Sequence, residues 1–160
     1  RQQLGLEFRK PTQKPMGLRI YNGGTYDLFH WGHIEMLKRL KHFAGSNGTL
    51  IVAVNTDDFV EQFKGYRPVM STEERVKVLQ GCKYVDEVVV NESGADSRPT
   101  ILATKADFVI TGTDWSDRDY NKQMGFTREW LEEHNIGFGF LPYTTGISTT
   151  EVKRRINAIP

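Results

Sequence analysis

Leu18-Arg19-Ile20-Tyr21-Asn22-Gly23-Gly24-Thr25-Tyr26-Asp27-Leu28-Phe29-His30-Trp31-Gly32-His33 is the stretch that decides how this chain of 160 residues is read. Leu18 to Tyr21 predicts a short strand that ends in the double glycine, where the backbone is free to turn sharply and approach a ligand closely. Trp31 to Phe43 predicts a helix. Ile34, Leu37, Leu40 and Phe43 recur along one stripe, with Lys38, Arg39, Lys41 and His42 mostly outside it. Gly45 and Gly48 then break the pattern.

The same alternation continues outward. Leu50-Ile51-Val52-Ala53-Val54 is an apolar run of the length a buried parallel strand prefers. Ser71-x-x-Glu74 is a capping box that opens the next helix, with Val76, Leu79 and Val78 expected to face inward. Val88 to Val90 is the third strand, Pro99 to Lys105 a helix and Phe108 to Ile110 the fourth strand. Thr127 to His134 is a helix, Phe138 to Leu141 the fifth strand and Ser148 to Ile156 the last helix. Strands alternating with helices predict an α/β fold: a Rossmann-like, doubly wound, five-stranded, mainly parallel sheet with helices on both faces. In such sheets ligands bind outside the carboxyl ends of the strands. That rule singles out residues 23–33, 55–58, 111–115 and 142–150.

Bulk composition narrows the class of partner. Lysine plus arginine is 21 and aspartate plus glutamate is 20, for a net charge of +1. A nucleic-acid polymer binder usually carries a basic excess, so any bound anion is expected to be small and locally held. Cys82 stands alone, which excludes an intrachain disulfide framework and makes a reducing cytoplasm the simpler reading. No apolar run approaches the ~20 residues of a membrane span. Residues 1–16 read as an irregular N-terminal extension and 17–160 as the domain. Met16 is a candidate original start, since the chain does not begin with methionine.

His30 and His33 lie three apart at the start of a predicted helix, so both imidazoles can reach one point near its amino end. Free amides and the partial positive charge of a helix start favour phosphate. Two imidazole donors there can stabilise extra charge on a phosphorus during displacement. A zinc pair and two surface histidines are the competing readings, but no cysteine cluster accompanies the histidines and no protein metal site is expected. Gly146 permits an unusual turn, after which Ser148 and Thr149 offer hydroxyls and amides to the far phosphates of a nucleotide. An ordinary capping box, Ser148-x-x-Glu151, explains the same residues without a ligand. Lys64, before Gly65-Tyr66-Arg67-Pro68, suits closure of a loop over phosphates, with Arg67 as a second candidate.

Gly24-Thr25-Tyr26-Asp27-Leu28-Phe29-His30-Trp31-Gly32-His33 resembles the GTFD-x-x-H-x-GH motif of cytidylyltransferases. Tyr84-Val85-Asp86-Glu87-Val88-Val89 is similar to that family's RYVDEV stretch, and Gly146 to Lys153 to its GISTT-x-x-K segment. The resemblance runs from about Leu18 to Ile156. It implies that Gly24, Thr25, Tyr26, His30, His33, Asp114, Ser148 and Thr149 hold the nucleotide, and Tyr143, where the chain departs from the family's arginine, is expected to stack against the nucleotide in its place. The resemblance assigns Lys64, Arg75 and Trp115 to the acceptor, and His30, His33 and Lys64 to catalysis; Asp27 is expected to orient the loop or to contact the acceptor. Thr111-Gly112-Thr113-Asp114-Trp115 is similar to the family's GDDW loop. A surface pairing of Arg75 with Glu74 or Thr72 is the plainer reading of that arginine, and a helix N-cap the plainer reading of Asp57. Two departures stand out: Pro142-Tyr143-Thr144-Thr145 replaces an arginine-bearing segment, and Ser116 to Phe126 is an insertion where the acceptor is held.

The implied reaction joins CMP from CTP to a small phosphorylated alcohol, glycerol 3-phosphate first among them, and releases pyrophosphate. Magnesium is expected to accompany the nucleotide, bound by phosphate oxygens and water, and the chain to form a homodimer. An adenylyltransferase using ATP, other phosphorylated polyol, amino alcohol or phosphonate acceptors, and a nucleotide-sensing module that does no chemistry are the alternatives.

Overall fold

The structure is a computed structural model that describes residues 17–112 and 124–160. In chain order the elements are β1 (Arg19–Gly24), α1 (Trp31–Ala44), β2 (Thr49–Asn55), α2 (Asp57–Lys64), α3 (Thr72–Gln80) and β3 (Glu87–Asn91). There follow α4 (Arg98–Thr104), β4 (Phe108–Gly112), α5 (Arg128–Glu133), β5 (Gly137–Leu141) and α6 (Thr149–Asn157). The five strands form one sheet in the order β3-β2-β1-β4-β5, and every pairing is parallel. The doubly wound fold expected from the alternation is therefore observed, without an antiparallel strand in this sheet.

Strand alternation sorts the core into two layers. Ile20, Leu50, Val52, Val54 and Ile110 pack with Leu37 and Leu40 of α1 and Leu79 of α3. Tyr21, Ala53 and Val109 point the other way, against Ile101 of α4 and Leu131 of α5. Each fully buried aliphatic side chain contributes roughly 1.5–3 kcal/mol of transfer free energy, which is why these runs and not the polar loops dictate the register. Val78 departs from expectation: it is exposed on α3, and Val76 and Leu79 make the inward contacts. Phe43 is likewise half exposed and meets the edge of Phe108 at a centroid distance of 5.4 Å.

Two aspartates pin the starts of the strands. Asp86 accepts from Leu50 N–H at 2.8 Å and from the Lys41 ammonium at 2.7 Å. Asp107, which is buried, accepts from Arg19 N–H at 2.8 Å. Each carboxylate thus sits just before one strand and holds the first turn of its neighbour. At the opposite end the sheet opens. β1 pairs with β2 through Gly24 and Val54, but with β4 only at Ile20–Phe108 and Tyr21–Val109. Beyond that point Asn22 bridges the gap, its Nδ2 donating to Ile110 O at 2.8 Å. This split lies where the winding reverses direction, the place at which an open α/β sheet offers a crevice. No helix among the described residues is long and apolar enough to cross a membrane.

Candidate active site

The crevice is a cavity of about 790 Å³, bounded by the ends of β1 and β4 and by the starts of α1 and α6. Its size suits a nucleotide with its acceptor. The loop from β1 to α1 is unusual in its backbone. Tyr26 and Leu28 have φ of 58° and 49°, the left-handed region that bulky residues avoid. Conformations of this kind persist only where surroundings over-determine them. Here the Tyr26 hydroxyl donates to Asn22 Oδ1, and the Tyr26 ring lies 5.2 Å from that of His33. Asp27 is buried, and its two carboxylate oxygens accept from Val69 N–H and Met70 N–H at 2.8 and 2.9 Å. Its carbonyl accepts from the Thr149 hydroxyl at 3.2 Å. Asp27 therefore joins three segments of the cavity wall. Its position favours holding the loops over binding an acceptor.

His30 and His33 form an unusual cap. His30 is the N-cap of α1, with extended backbone, and its Nδ1 accepts from Gly32 N–H at 3.1 Å. His33 sits at the third helical position, and its Nδ1 accepts from His30 N–H, also at 3.1 Å. The two rings stack at a centroid distance of 3.8 Å. A backbone N–H can only donate, so both Nδ1 atoms are unprotonated, and each neutral ring carries its proton on Nε2. The remaining donors are thereby aimed away from the backbone. His30 Nε2 is buried and has no hydrogen-bond partner. Burial, reinforced by the neighbouring His30 ring, pushes the His33 imidazole down to about 3; burial alone lowers His30. The pair is neutral at pH 7 and offers N–H donors without charge.

The facing wall is the start of α6. Ser148 caps it, accepting from Glu151 N–H at 3.0 Å. The reciprocal half of a capping box is missing, because the Glu151 carboxylate pairs with Arg154 and Arg155 at 2.7 and 2.9 Å. The amides at this helix start are left for a ligand. Gly32 brings the two walls together: a Cβ there would come within 2.7 Å of Ile147 Cγ2 and 3.0 Å of the His30 ring. Only glycine allows the segment before α6 to pack against the histidine cap. Gly112 does the same at the end of β4, where a Cβ would come within 2.5 Å of the Tyr143 ring. Tyr143 therefore packs against that strand end, half exposed and on the cavity wall.

The cations divide. Lys64 is the last residue of α2 and lines the cavity. Arg67 does not line it: Arg67 pairs with Asp58 at 3.0 Å and Glu61 at 2.8 Å. Arg75 corrects the sequence reading outright. It is fully buried, neither a surface ion pair with Glu74 nor exposed to an acceptor. Its Nε donates to Met70 O at 3.0 Å. Its Nη1 donates to Thr25 O at 2.9 Å and Asn55 O at 2.8 Å, and its Nη2 to Asp57 Oδ1 at 2.7 Å and Thr72 Oγ1 at 3.2 Å. All of its N–H donors are consumed by protein. Asp57, in turn, is not the cap of α2; Thr56 is, accepting from Phe59 N–H at 3.2 Å. Burial raises the Asp57 carboxyl, but hydrogen bonds from Arg75 and Thr72 outweigh it and hold it below the usual carboxylate range.

Gly24, Thr25, Tyr26, Asp27, His30, His33, Lys64, Tyr143, Ser148 and Thr149 all border the one cavity. Asp114 and Trp115 lie outside the described residues. Asn22 and Tyr66 also border the cavity and were not singled out by the sequence, and Lys153, which closes the GISTT-x-x-K segment, borders it too. Lys153 had a usable signal, four residues after Thr149 and so on the same helical face. Among the described residues no group of three or more His, Cys, Asp or Glu side chains is arranged to hold a metal ion. Asp27, the one aspartate lining the cavity among the described residues, has both oxygens engaged by amides.

Two outcomes follow from this geometry. Arg75→Ala leaves buried carbonyls and Asp57 without their donor, so unfolding in urea should show a loss of about 3–5 kcal/mol. Wild-type stability with only a weakened acceptor would return Arg75 to a binding role. For the histidines, a folded-state pKa below the unfolded value of about 6.5 means that the unfolded chain binds more protons as the pH falls. Their contribution to stability is therefore complete above that pH and is lost on acidification. In ¹⁵N-edited NMR, the His33 ring should keep the Nε2–H pattern from pH 8 to pH 5. A titration centred near pH 6.5 would contradict the capped arrangement.

The sequence profile of the family described as Cytidylyltransferase-like matches residues 21–155. Glycerol-3-phosphate cytidylyltransferase of Bacillus subtilis (strain 168) is 34% identical over 140 residues, covering 86% of this chain and 96% of that protein. FAD synthase of Korarchaeum cryptofilum (strain OPF8) is 31% identical over 142 residues, covering 88% and 92%. Among solved structures, the lipopolysaccharide core biosynthesis protein from Thermoplasma volcanium GSS1 superposes with a TM-score of 0.61 at 22% identity, over 82% of this chain and 99% of that one. That last likeness concerns the fold alone. With the profile spanning most of the domain and relatives aligned over nearly their whole length, the chain belongs to the cytidylyltransferase-like family and is a nucleotidyltransferase.

Proposed function

We propose that the protein transfers CMP from CTP to the phosphate of a small phosphorylated alcohol, glycerol 3-phosphate being the first candidate, and releases pyrophosphate. The observation that carries this reading is the convergence of two Nε2–H donors and the open amino end of α6 on one cavity. A chain of phosphates spans such a pair of donors. An oxygen of the acceptor phosphate attacks the α-phosphorus in line. The bond from that phosphorus to the bridging oxygen of the β-phosphate breaks, and pyrophosphate leaves with the electron pair. The acceptor phosphate is already ionised, so no protein base is needed. Catalysis is positioning and charge stabilisation.

In this reading His30 and His33 hydrogen-bond the α-phosphate and gain strength as its oxygens gather charge. Ser148 and Thr149 hold the tail, and Lys64 lies between the α-phosphate and the acceptor. Tyr143 offers a flat wall for the base. Among the described residues no cluster of side chains is arranged to hold a metal, and in this reading magnesium arrives with the nucleotide, ligated by phosphate oxygens and water. Adenylyl transfer is the second reading, motivated by the FAD synthase relative.

The test is pyrophosphate release from CTP or ATP against a panel of phosphorylated polyols, amino alcohol phosphates, phosphonates and flavin phosphate. CTP with a phosphorylated alcohol should be the productive pair, and His33→Ala should lower that rate by ~100-fold or more in a chain whose circular dichroism remains that of the folded protein. Release from ATP with flavin phosphate, and none from CTP, would select the second reading. Near-normal turnover by His33→Ala would remove the histidines from the mechanism.

A further inference from the structure

Three asparagines are buried near the carboxyl ends of neighbouring strands: Asn22 on β1, Asn55 on β2 and Asn91 on β3, at 1%, 7% and 2% exposure. A buried carboxamide costs free energy unless its donors and its acceptor are paired. Two of the three are paired within the protein. Asn22 donates from Nδ2 to Ile110 O at 2.8 Å and accepts from the Tyr26 hydroxyl. Asn91 donates from Nδ2 to Gly94 O at 3.2 Å and Ser97 Oγ at 3.3 Å, and its Oδ1 accepts from the Thr100 hydroxyl at 3.0 Å. Asn55 is different. Its backbone carbonyl accepts from Arg75 at 2.8 Å, but among the described residues its side-chain carboxamide has no hydrogen-bond partner. Asn55 lines the cavity, so a ligand can supply what the protein does not.

Strand alternation places that carboxamide. Asn55 follows Ala53 by two residues and so points to the same face of the sheet, the one covered by α4 and α5. Ala53 pairs in register with Gly23, which also lines the cavity and has no side chain on that face. A Cβ at Gly23 would come within 3.2 Å of Met124 Cε, and Met124 is a third lining residue. Asn55, Gly23 and Met124 therefore bound one part of the cavity. It lies away from Tyr143, which packs at the end of β4, because β1 stands between β2 and β4 in the sheet. It lies on the side of α2, which starts two residues after Asn55 and ends at Lys64. In the proposed reaction Lys64 stands between the α-phosphate and the acceptor, so this part of the cavity belongs to the acceptor.

A carboxamide offers a donor and an acceptor without charge, which matches a hydroxyl, itself both donor and acceptor. An ammonium needs more: once desolvated, it requires an anion. Asp27 is the one acidic residue lining the cavity among the described residues, and amides take both of its oxygens. Lys64 and Lys153 line the same cavity and oppose a further cation. We propose that Asn55 determines acceptor specificity: its free carboxamide hydrogen-bonds hydroxyl groups on the carbon chain of the acceptor. It thereby selects a polyol phosphate over an amino alcohol phosphate or a plain alkyl phosphate. This rests on the reaction given under Proposed function and narrows its acceptor class.

The test compares kcat/KM for pyrophosphate release from CTP with matched acceptors. These are polyol phosphates of three to five carbons, the alkyl phosphates of the same lengths, and ethanolamine phosphate. Wild type should favour a polyol phosphate over its alkyl counterpart by about tenfold or more, because the alkyl chain leaves a buried amide unpaired. Ethanolamine phosphate should also fall below the polyol phosphate. Asn55→Ala and Asn55→Leu, checked for folding by circular dichroism, should lower kcat/KM for the polyol phosphate about tenfold. Both should leave the alkyl phosphate and the KM for CTP nearly unchanged. The wild-type comparison needs no variant: equal or better use of alkyl or ethanolamine phosphate overturns the role of Asn55 and leaves the reaction standing. Folded variants that keep the wild-type preference for the polyol phosphate overturn it too. If wild type releases no pyrophosphate from CTP with any phosphorylated alcohol, the reaction and the role of Asn55 fall together.

Discussion

The guanidinium of Arg75 is the interaction on which the rest of the site depends. It is wholly buried, yet every one of its donors has an acceptor, and those acceptors come from five different places: Thr25, Asn55, Asp57, Met70 and Thr72. Thr25 and Asn55 mark where β1 and β2 have ended. Asp57 opens α2, and Met70 and Thr72 lead into α3. Desolvating a charge is costly unless it is fully paired, so this constellation forms whole or not at all. Once it forms, the carboxyl ends of two strands and the starts of two helices hold fixed relative positions. Asp27 extends the arrangement by accepting from Val69 and Met70 amides and from the Thr149 hydroxyl. The loop with left-handed Tyr26 and Leu28 is thereby held on both sides.

On that frame the chemistry uses atoms that also serve the fold. The histidines cap α1 through their Nδ1 atoms, and the same bonds select the Nε2–H tautomer that a phosphate needs. Burial keeps His33 neutral, so its donor persists without the desolvation cost of an imidazolium. At the other wall, Glu151 turns to Arg154 and Arg155 and leaves the start of α6 only half capped. Folding is satisfied by one lone pair on each imidazole and one hydroxyl on Ser148. What remains unsatisfied, most visibly the buried His30 Nε2, points to a ligand.

How much of this was legible in the sequence depends on the range of the contacts. The order of elements, the parallel sheet and the helix stripe of Leu37 and Leu40 follow from local periodicity, and the structure has them. The convergence of His30 and His33 follows from spacing, although His30 caps the helix and does not lie within it. Ser148 and Thr149 are recognisable because a glycine precedes two hydroxyl residues at a helix start. Arg75 was misread because Glu73-Glu74-Arg75 looks like an exposed helix face. Its burial is dictated by carbonyls 20 and 50 residues away. Asp57 was misread for the same reason, since its partner Arg75 lies 18 residues on. Lys153 is legible as the close of the GISTT-x-x-K segment, and the structure separates it from Arg154 and Arg155, which both pair with Glu151.

One nucleotide lying between the histidine cap and the start of α6 is the centre of the proposed reaction. A crystal structure of the complex with CTP tests this most directly. The α-phosphate oxygens should lie about 2.7–3.2 Å from the Nε2 atoms of His30 and His33, with the β- and γ-phosphates at similar distances from the Ser148 and Thr149 amides or hydroxyls. A nucleotide bound elsewhere, or phosphates that touch one wall and leave the other to solvent, would contradict it.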